Sequence, residues 1–164
     1  MKKLLDRIFI DGLGGMAQGL FATLIIGTII QQIGLFMGGG TGDLIYELGK
    51  IAAGLTSAGI GVVVARKLEA GHLVIVSAAV VGMIGAFAGK ILSGQVLVDG
   101  NLVLAGPGEP LGAFAAAYLA IEIGILISGK TKLDIILTPL VCIGTGSAVG
   151  LFVGPPISEF MLWL

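Results

Sequence analysis

A run of 31 residues without a charged side chain, from Gly12 to Gly42, constrains this chain more than any other feature. A helix needs about 20 apolar residues to cross the hydrocarbon core of a bilayer. Backbone polar groups in that core must bond to one another, and a helix achieves this within a single segment. The run therefore predicts a transmembrane helix, which we place from Leu13 to Phe36.

Composition extends this prediction to the whole chain. Of its 164 residues, 56% are hydrophobic and 12% are charged, whereas soluble domains carry about 25% charged residues. This excludes a soluble enzyme, and the net charge of −1 excludes a basic nucleic-acid-binding surface. We predict an all-α, polytopic transmembrane helical bundle of about five spans, forming a single membrane domain over residues 1–164. The spans predicted after the first are Ile51–Ala65, which is short unless Leu48 and Gly49 join it, Ala70–Gly89, Pro110–Ser128 and Ile135–Ser158, with Pro155 and Pro156 ending the last one.

The distribution of basic residues predicts the orientation, because cytoplasmic loops of membrane proteins collect Lys and Arg. With a cytoplasmic amino terminus, only Lys50 and Lys90 fall on the exterior side. The seven cytoplasmic basic residues are then Lys2, Lys3, Arg7, Arg66, Lys67, Lys130 and Lys132. We therefore expect a multi-pass protein of a bacterial inner membrane with its amino terminus inside.

Glycines at four-residue spacing mark helix faces that pack closely. The spacing of Gly146, Gly150 and Gly154 puts all three on one face of a helix. Small residues allow the close backbone approach that holds helices together in lipid. We predict helix packing for these glycines and assign them no ligand.

The segment from Gly106 to Gly112 contains two prolines and three glycines, a composition that cannot continue a preceding helix. Pro110 is well placed as a first helical residue, with Glu109 just before it. Such a turn can line a cavity at a broken helix, where transporters often bind their substrate. Glu109 is thus one candidate substrate ligand, and an ordinary exterior loop capped by an acidic residue is the equally weighted alternative.

Three further residues are candidate substrate ligands. Glu122 lies within the fourth span, where an unpaired carboxylate is costly and therefore suggests function, although it could instead reach toward Lys130 at the cytoplasmic end. His72, the only histidine, and Gln18 offer neutral hydrogen-bonding groups. A solvated histidine and helix-to-helix hydrogen bonding are the simpler interpretations of these two. The chain shows no catalytic triad, phosphate-binding loop or metal-ligand cluster, so we predict no cofactor, no metal and no catalytic residue of its own.

Three segments of the chain resemble a known bacterial membrane family. They are Asp11–Phe21, Gly106–Phe114 and Lys130–Pro139. The sequence is similar to the IIC (EIIC) component of the phosphoenolpyruvate-dependent sugar phosphotransferase system, a family that includes proteins like the perfringolysin O regulator. Members of that family are longer, and this chain resembles their amino-terminal half.

The resemblance implies a permease that binds a sugar and presents it to a separate phosphorylated EIIB protein, which is supplied by EIIA. Exposed small-residue faces lead us to expect a homo-oligomer in the lipid bilayer. One alternative is a membrane regulatory or sensor protein of the perfringolysin O regulator type, which binds without phosphorylating. Another is a proton-coupled transporter of small solutes, in which Glu122 would carry the proton.

Overall fold

The computed structural model describes residues 1–164 and is almost entirely helical. This confirms the prediction of an all-α helical bundle, with one small β-hairpin as its only sheet. The elements in chain order are α1 (Lys2–Met37), α2 (Gly39–Gly54), α3 (Thr56–Lys67), α4 (His72–Ala86), α5 (Ala88–Leu92), β1 (Leu97–Val98), β2 (Asn101–Leu102), α6 (Pro110–Ile127) and α7 (Asp134–Trp163).

Three helices are long and apolar enough to cross a membrane: α1, α6 and α7. A fourth span is formed if α2 and α3, which meet at a bend of 49°, are counted together. α4 is apolar but has only 15 residues, which is about 22 Å of helix. Helical segments thus occupy all five predicted positions, while the number of crossings and the orientation stay predictions.

The first two predicted spans differ from the helices in their bounds. α1 begins at Lys2 rather than at Leu13, and it contains π-helical turns at Arg7–Gly12 and Phe21–Ile25. The second span was predicted as one helix from Ile51 to Ala65, short unless Leu48 and Gly49 join it. It is instead the bent pair α2 and α3, with α2 beginning directly after a turn at Gly38, whose φ is +62°.

The prediction that Pro155 and Pro156 end the last span was wrong. α7 runs through both prolines to Trp163. A proline removes only its own N–H from the helix, and neighbouring hydrogen bonds and packing can hold a membrane helix together across it. The prolines therefore lie inside the helix rather than at its end.

The packed core lies between α3, α4, α6, α7 and the amino-terminal half of α1. Its buried side chains are mostly small, and they include the residues where α4 and α6 approach most closely. A Cβ atom added at Gly85 would lie 2.5 Å from the Gly112 carbonyl oxygen. Gly150 of α7 packs on the same point, where an added Cβ would lie 3.1 Å from the Gly85 Cα atom. The glycine packing predicted for α7 is therefore confirmed.

The carboxyl-terminal half of α1 and α2 form a separate antiparallel hairpin. These two helices approach through glycines: a Cβ atom at Gly27 would lie 2.6 Å from the Ala53 nitrogen, and one at Gly49 would lie 2.6 Å from the Gln31 nitrogen. Their other faces carry exposed apolar side chains such as Phe36. This hairpin contributes nothing to the main core cluster.

Candidate functional site

Between α4 and α6 the chain leaves the bundle and returns to nearly the same point. We call this segment, residues 87–108, the excursion. The backbone N–H of Glu109 donates to the carbonyl oxygen of Ala86 at 3.0 Å, which joins the two ends of this excursion. Ser57, a fully buried residue of α3, donates its hydroxyl proton to the carbonyl oxygen of Pro107. Gly108 adopts a φ of +73°, and a Cβ atom there would meet the side chain of Ala86 at 2.6 Å. The returning segment is thus inserted between helices rather than lying loosely outside them.

Glu109 caps the helix that begins after it, as predicted. Its Oε1 atom accepts the backbone N–H of Leu111 at 3.2 Å, and Pro110 is the first residue of α6. A carboxylate at this position also balances the partial positive charge of the helix amino terminus. The second carboxylate oxygen makes no hydrogen bond within the protein, so it can accept one from a ligand.

A cavity of about 400 Å³ lies beside Glu109, where the excursion folds back against the ends of α4 and α7. Its volume falls within the usual range for a small-molecule site. The wall combines Ala105, Pro107 and Gly108 with side chains that can donate or accept hydrogen bonds. These side chains are Lys90, Ser93, Gln95, Glu109 and Ser158.

Lys90, an exposed residue, lines this cavity and has no carboxylate partner. Its Nζ atom lies 5.5 Å from the centre of the Phe87 ring, within the range of a cation–π contact. No Asp or Glu oxygen lies within 4.0 Å of it, because the chain has a single ion pair and that pair is elsewhere.

That single ion pair joins α1 to α6. Arg7 donates from Nε to Glu122 Oε1 at 2.6 Å and from Nη2 to Oε2 at 3.3 Å. Both side chains are about one-third exposed, at 36% and 31%. Gly12 brings α1 close to the ring of Tyr118, whose buried hydroxyl makes no hydrogen bond. Glu122 therefore has a partner on a distant segment and does not reach Lys130.

The four candidate substrate ligands do not share one site. Glu109 and Glu122 lie 13 residues apart on α6, which is about 20 Å along the helix. His72 is exposed at the start of α4, and Gln18 is exposed on α1. Glu109 alone lines the cavity, and the proposed roles of all four remain predictions.

Sequence reasoning missed the residues that surround Glu109. Lys90 and Gln95 lie in the excursion itself, and Ser158 lies beyond the prolines of α7. A signal for Lys90 was available, since it is one of only two basic residues on the predicted exterior side. No comparable signal pointed to Ser158, because its position depends on α7 continuing past Pro155.

Comparison with known families gives a single result. The family model described as "Phosphotransferase system, EIIC" matches residues 10–164. No curated protein and no solved structure matches the chain. The match covers the helical bundle and the cavity, and it agrees with the apolar, multi-helix architecture of a membrane transport protein. The chain belongs to the EIIC family of the phosphotransferase system, whose members are its sugar-transporting permease components.

Proposed function

We propose that the cavity beside Glu109 is the sugar-binding site of this permease component. The observation that carries the proposal is a polar cavity at the break between two helices, in a chain that is otherwise strongly apolar. Discontinuous helices in transporters expose backbone groups that coordinate the substrate. A sugar offers hydroxyl groups that both donate and accept, which matches a wall with one carboxylate, an ammonium group and an amide.

Glu109 is the proposed anchor for the sugar. Its free carboxylate oxygen would accept a hydroxyl proton, and hydrogen bonds to a charged group are about twice as strong as neutral ones. Gln95 and Lys90 would donate to other sugar oxygens from the opposite wall. The bond from Ser57 to Pro107 holds the backbone of this wall in place.

The phosphoryl donor in this proposal is a separate EIIB protein, recharged by EIIA. EIIB proteins carry the phosphoryl group on a reactive Cys or His of their own. Cys142 of this chain cannot take that role, because it is fully buried and its Sγ atom lies 3.4 Å from the Ala120 carbonyl oxygen. The chain would therefore bind the sugar and position a hydroxyl for transfer, in a bacterial inner membrane and with its amino terminus inside.

Oligomer formation is part of the same proposal. Large apolar side chains are exposed along α1, α2 and α7, and bilayer lipid or a second copy of the chain would cover them. The ends of α7 and of the α1–α2 hairpin are the surfaces on which a homo-oligomer would form.

Phosphoenolpyruvate-dependent phosphorylation tests the proposal directly. Membrane vesicles containing the full-length gene product would be supplied with the soluble phosphotransferase proteins and a panel of labelled sugars. We expect one sugar to be phosphorylated, and we expect Glu109→Gln to raise its KM about tenfold, which corresponds to losing about 1.4 kcal/mol of binding.

Asp43→Asn is the matched control, since it removes an exposed carboxylate of α2 outside this cavity. It is expected to leave KM unchanged. Normal membrane insertion with no phosphorylation of any sugar would contradict the proposal. Sugar binding without phosphorylation would favour the sensor alternative instead.

A further inference from the structure

We infer that the cavity selects a sugar that carries a carboxylate group, and that Lys90 determines this selectivity. The inference rests on the proposed sugar site and specifies its substrate class. It follows from an imbalance of charge: the cavity contains one cation and one anion, and only the anion is compensated by the protein.

Glu109 is the compensated group. Its Oε1 atom accepts the N–H of Leu111, and its side chain stands at the amino terminus of α6, an 18-residue helix. The amino terminus of a helix carries about half an elementary positive charge, which offsets the carboxylate. A ligand that approaches Glu109 therefore meets a carboxylate whose field is already partly cancelled.

Lys90 is the uncompensated group. No carboxylate lies within 4.0 Å of its Nζ atom, and its nearest aromatic contact is the buried ring of Phe87. The backbone at this residue is held in place, because Gln95 N–H and the Ser93 hydroxyl both donate to the Lys90 carbonyl oxygen, at 2.9 and 3.2 Å. The ammonium group is thus available at the cavity wall for a ligand anion.

Its location strengthens the inference. Seven of the nine basic residues lie on the predicted cytoplasmic side, as the positive-inside rule favours. A lysine on the exterior side is disfavoured by that rule, and Lys90 lies in the cavity beside Glu109. A carboxylate on the sugar would pair with it through a charge-assisted hydrogen bond.

Lys50 supplies a matched control. It is the other basic residue on the predicted exterior side, and its Nζ atom lies 6.0 Å from the Tyr46 ring centre. Like Lys90 it has no carboxylate oxygen within 4.0 Å, and it differs in lining another cavity, together with Glu47, instead of the one beside Glu109.

The test compares each uronic acid with its neutral parent sugar. Binding of glucuronate and glucose, and of galacturonate and galactose, would be measured by calorimetry on the full-length protein in lipid nanodiscs. We expect at least one acid to bind about tenfold more tightly than its parent. Lys90→Gln should bring that ratio close to one, whereas Lys90→Arg and Lys50→Gln should preserve it.

The outcomes separate this inference from the proposed function. Equal binding of acid and parent sugar, or a preference that survives Lys90→Gln, would overturn the role of Lys90 and leave the sugar site standing. Absence of binding by all four sugars, together with no phosphorylation of any sugar in vesicles, would overturn both. The Lys90→Arg variant distinguishes loss of charge from loss of folding.

Discussion

The close approach of α4 and α6 predicts that a single methyl group added at Gly85 destabilises the bundle. In Gly85→Ala the new Cβ atom would lie 2.5 Å from the Gly112 oxygen and 2.6 Å from the Ala116 Cβ atom. Backbone on one side and a packed methyl on the other leave no side chain that can move aside. Overpacking of this kind costs about 1–3 kcal/mol, and the better helix propensity of alanine returns up to about 1 kcal/mol.

The expected net loss of up to about 2 kcal/mol corresponds to a fall in Tm of up to about 8 °C for a chain of this size. Circular dichroism at 222 nm during heating of the detergent-solubilised protein would measure it. Gly112→Ala should cause a similar fall, because its Cβ atom would lie 2.6 Å from the Gly85 oxygen. The double variant should lose less than the sum, since both methyl groups enter the same gap.

Gly144→Ala is the control, because a Cβ atom there meets nothing within 4 Å. Its Tm should equal or exceed that of the wild type. If Gly85→Ala and Gly144→Ala had the same Tm, the backbones of α4 and α6 would not approach as closely as described. Strict additivity of Gly85→Ala and Gly112→Ala would also contradict a shared gap.

Further predictions concern the ion pair, the orientation and the cavity wall. Arg7→Gln and Glu122→Gln should each lower Tm slightly, and a double-mutant cycle should give a coupling of about 0.5–1 kcal/mol, since the pair is one-third exposed; zero coupling would mean that the two side chains do not pair in solution. A cysteine replacing Lys130 should react with an impermeant maleimide only in inverted vesicles, and one replacing Lys50 only in intact cells, while the reverse pattern would invert the topology. Ser57→Ala should raise the KM for the transported sugar about fivefold, because the cavity wall loses a hydrogen bond worth about 1 kcal/mol; an unchanged KM would show that the bond does not hold the wall.

The local features of the site were predictable from the sequence. Pro110 and Glu109 gave the start of α6, because a proline at the first helical position and an acidic cap are signals carried by adjacent residues. The glycine spacing in α7 likewise predicted a packed face, since four-residue spacing and helical geometry define the face without knowledge of its partner. Both features depend on neighbours within one turn or a few turns.

The features that sequence reasoning missed depend on distant segments. Arg7 and Glu122 are separated by 115 positions, and nothing in either neighbourhood names the other as a partner. α2 and α3 meet at a bend of 49° and both pack on α1, and hydropathy alone reports neither fact. The prediction that Pro155 ends the last span failed because the effect of a proline on a helix depends on surrounding contacts as well as on its own chemistry.

The bond between Glu109 and Ala86 has a consequence for how this protein can diversify. It closes residues 87–108 into a ring whose two ends are themselves packed in the bundle, with Phe87 in the core and Gly108 against Ala86. Exchange of the middle of this ring, residues 89–105, between related permeases would alter Lys90 and Gln95 together, while the glycine contacts between α4 and α6 stay untouched. Substrate range can then change by replacement of this segment while the helical bundle stays the same.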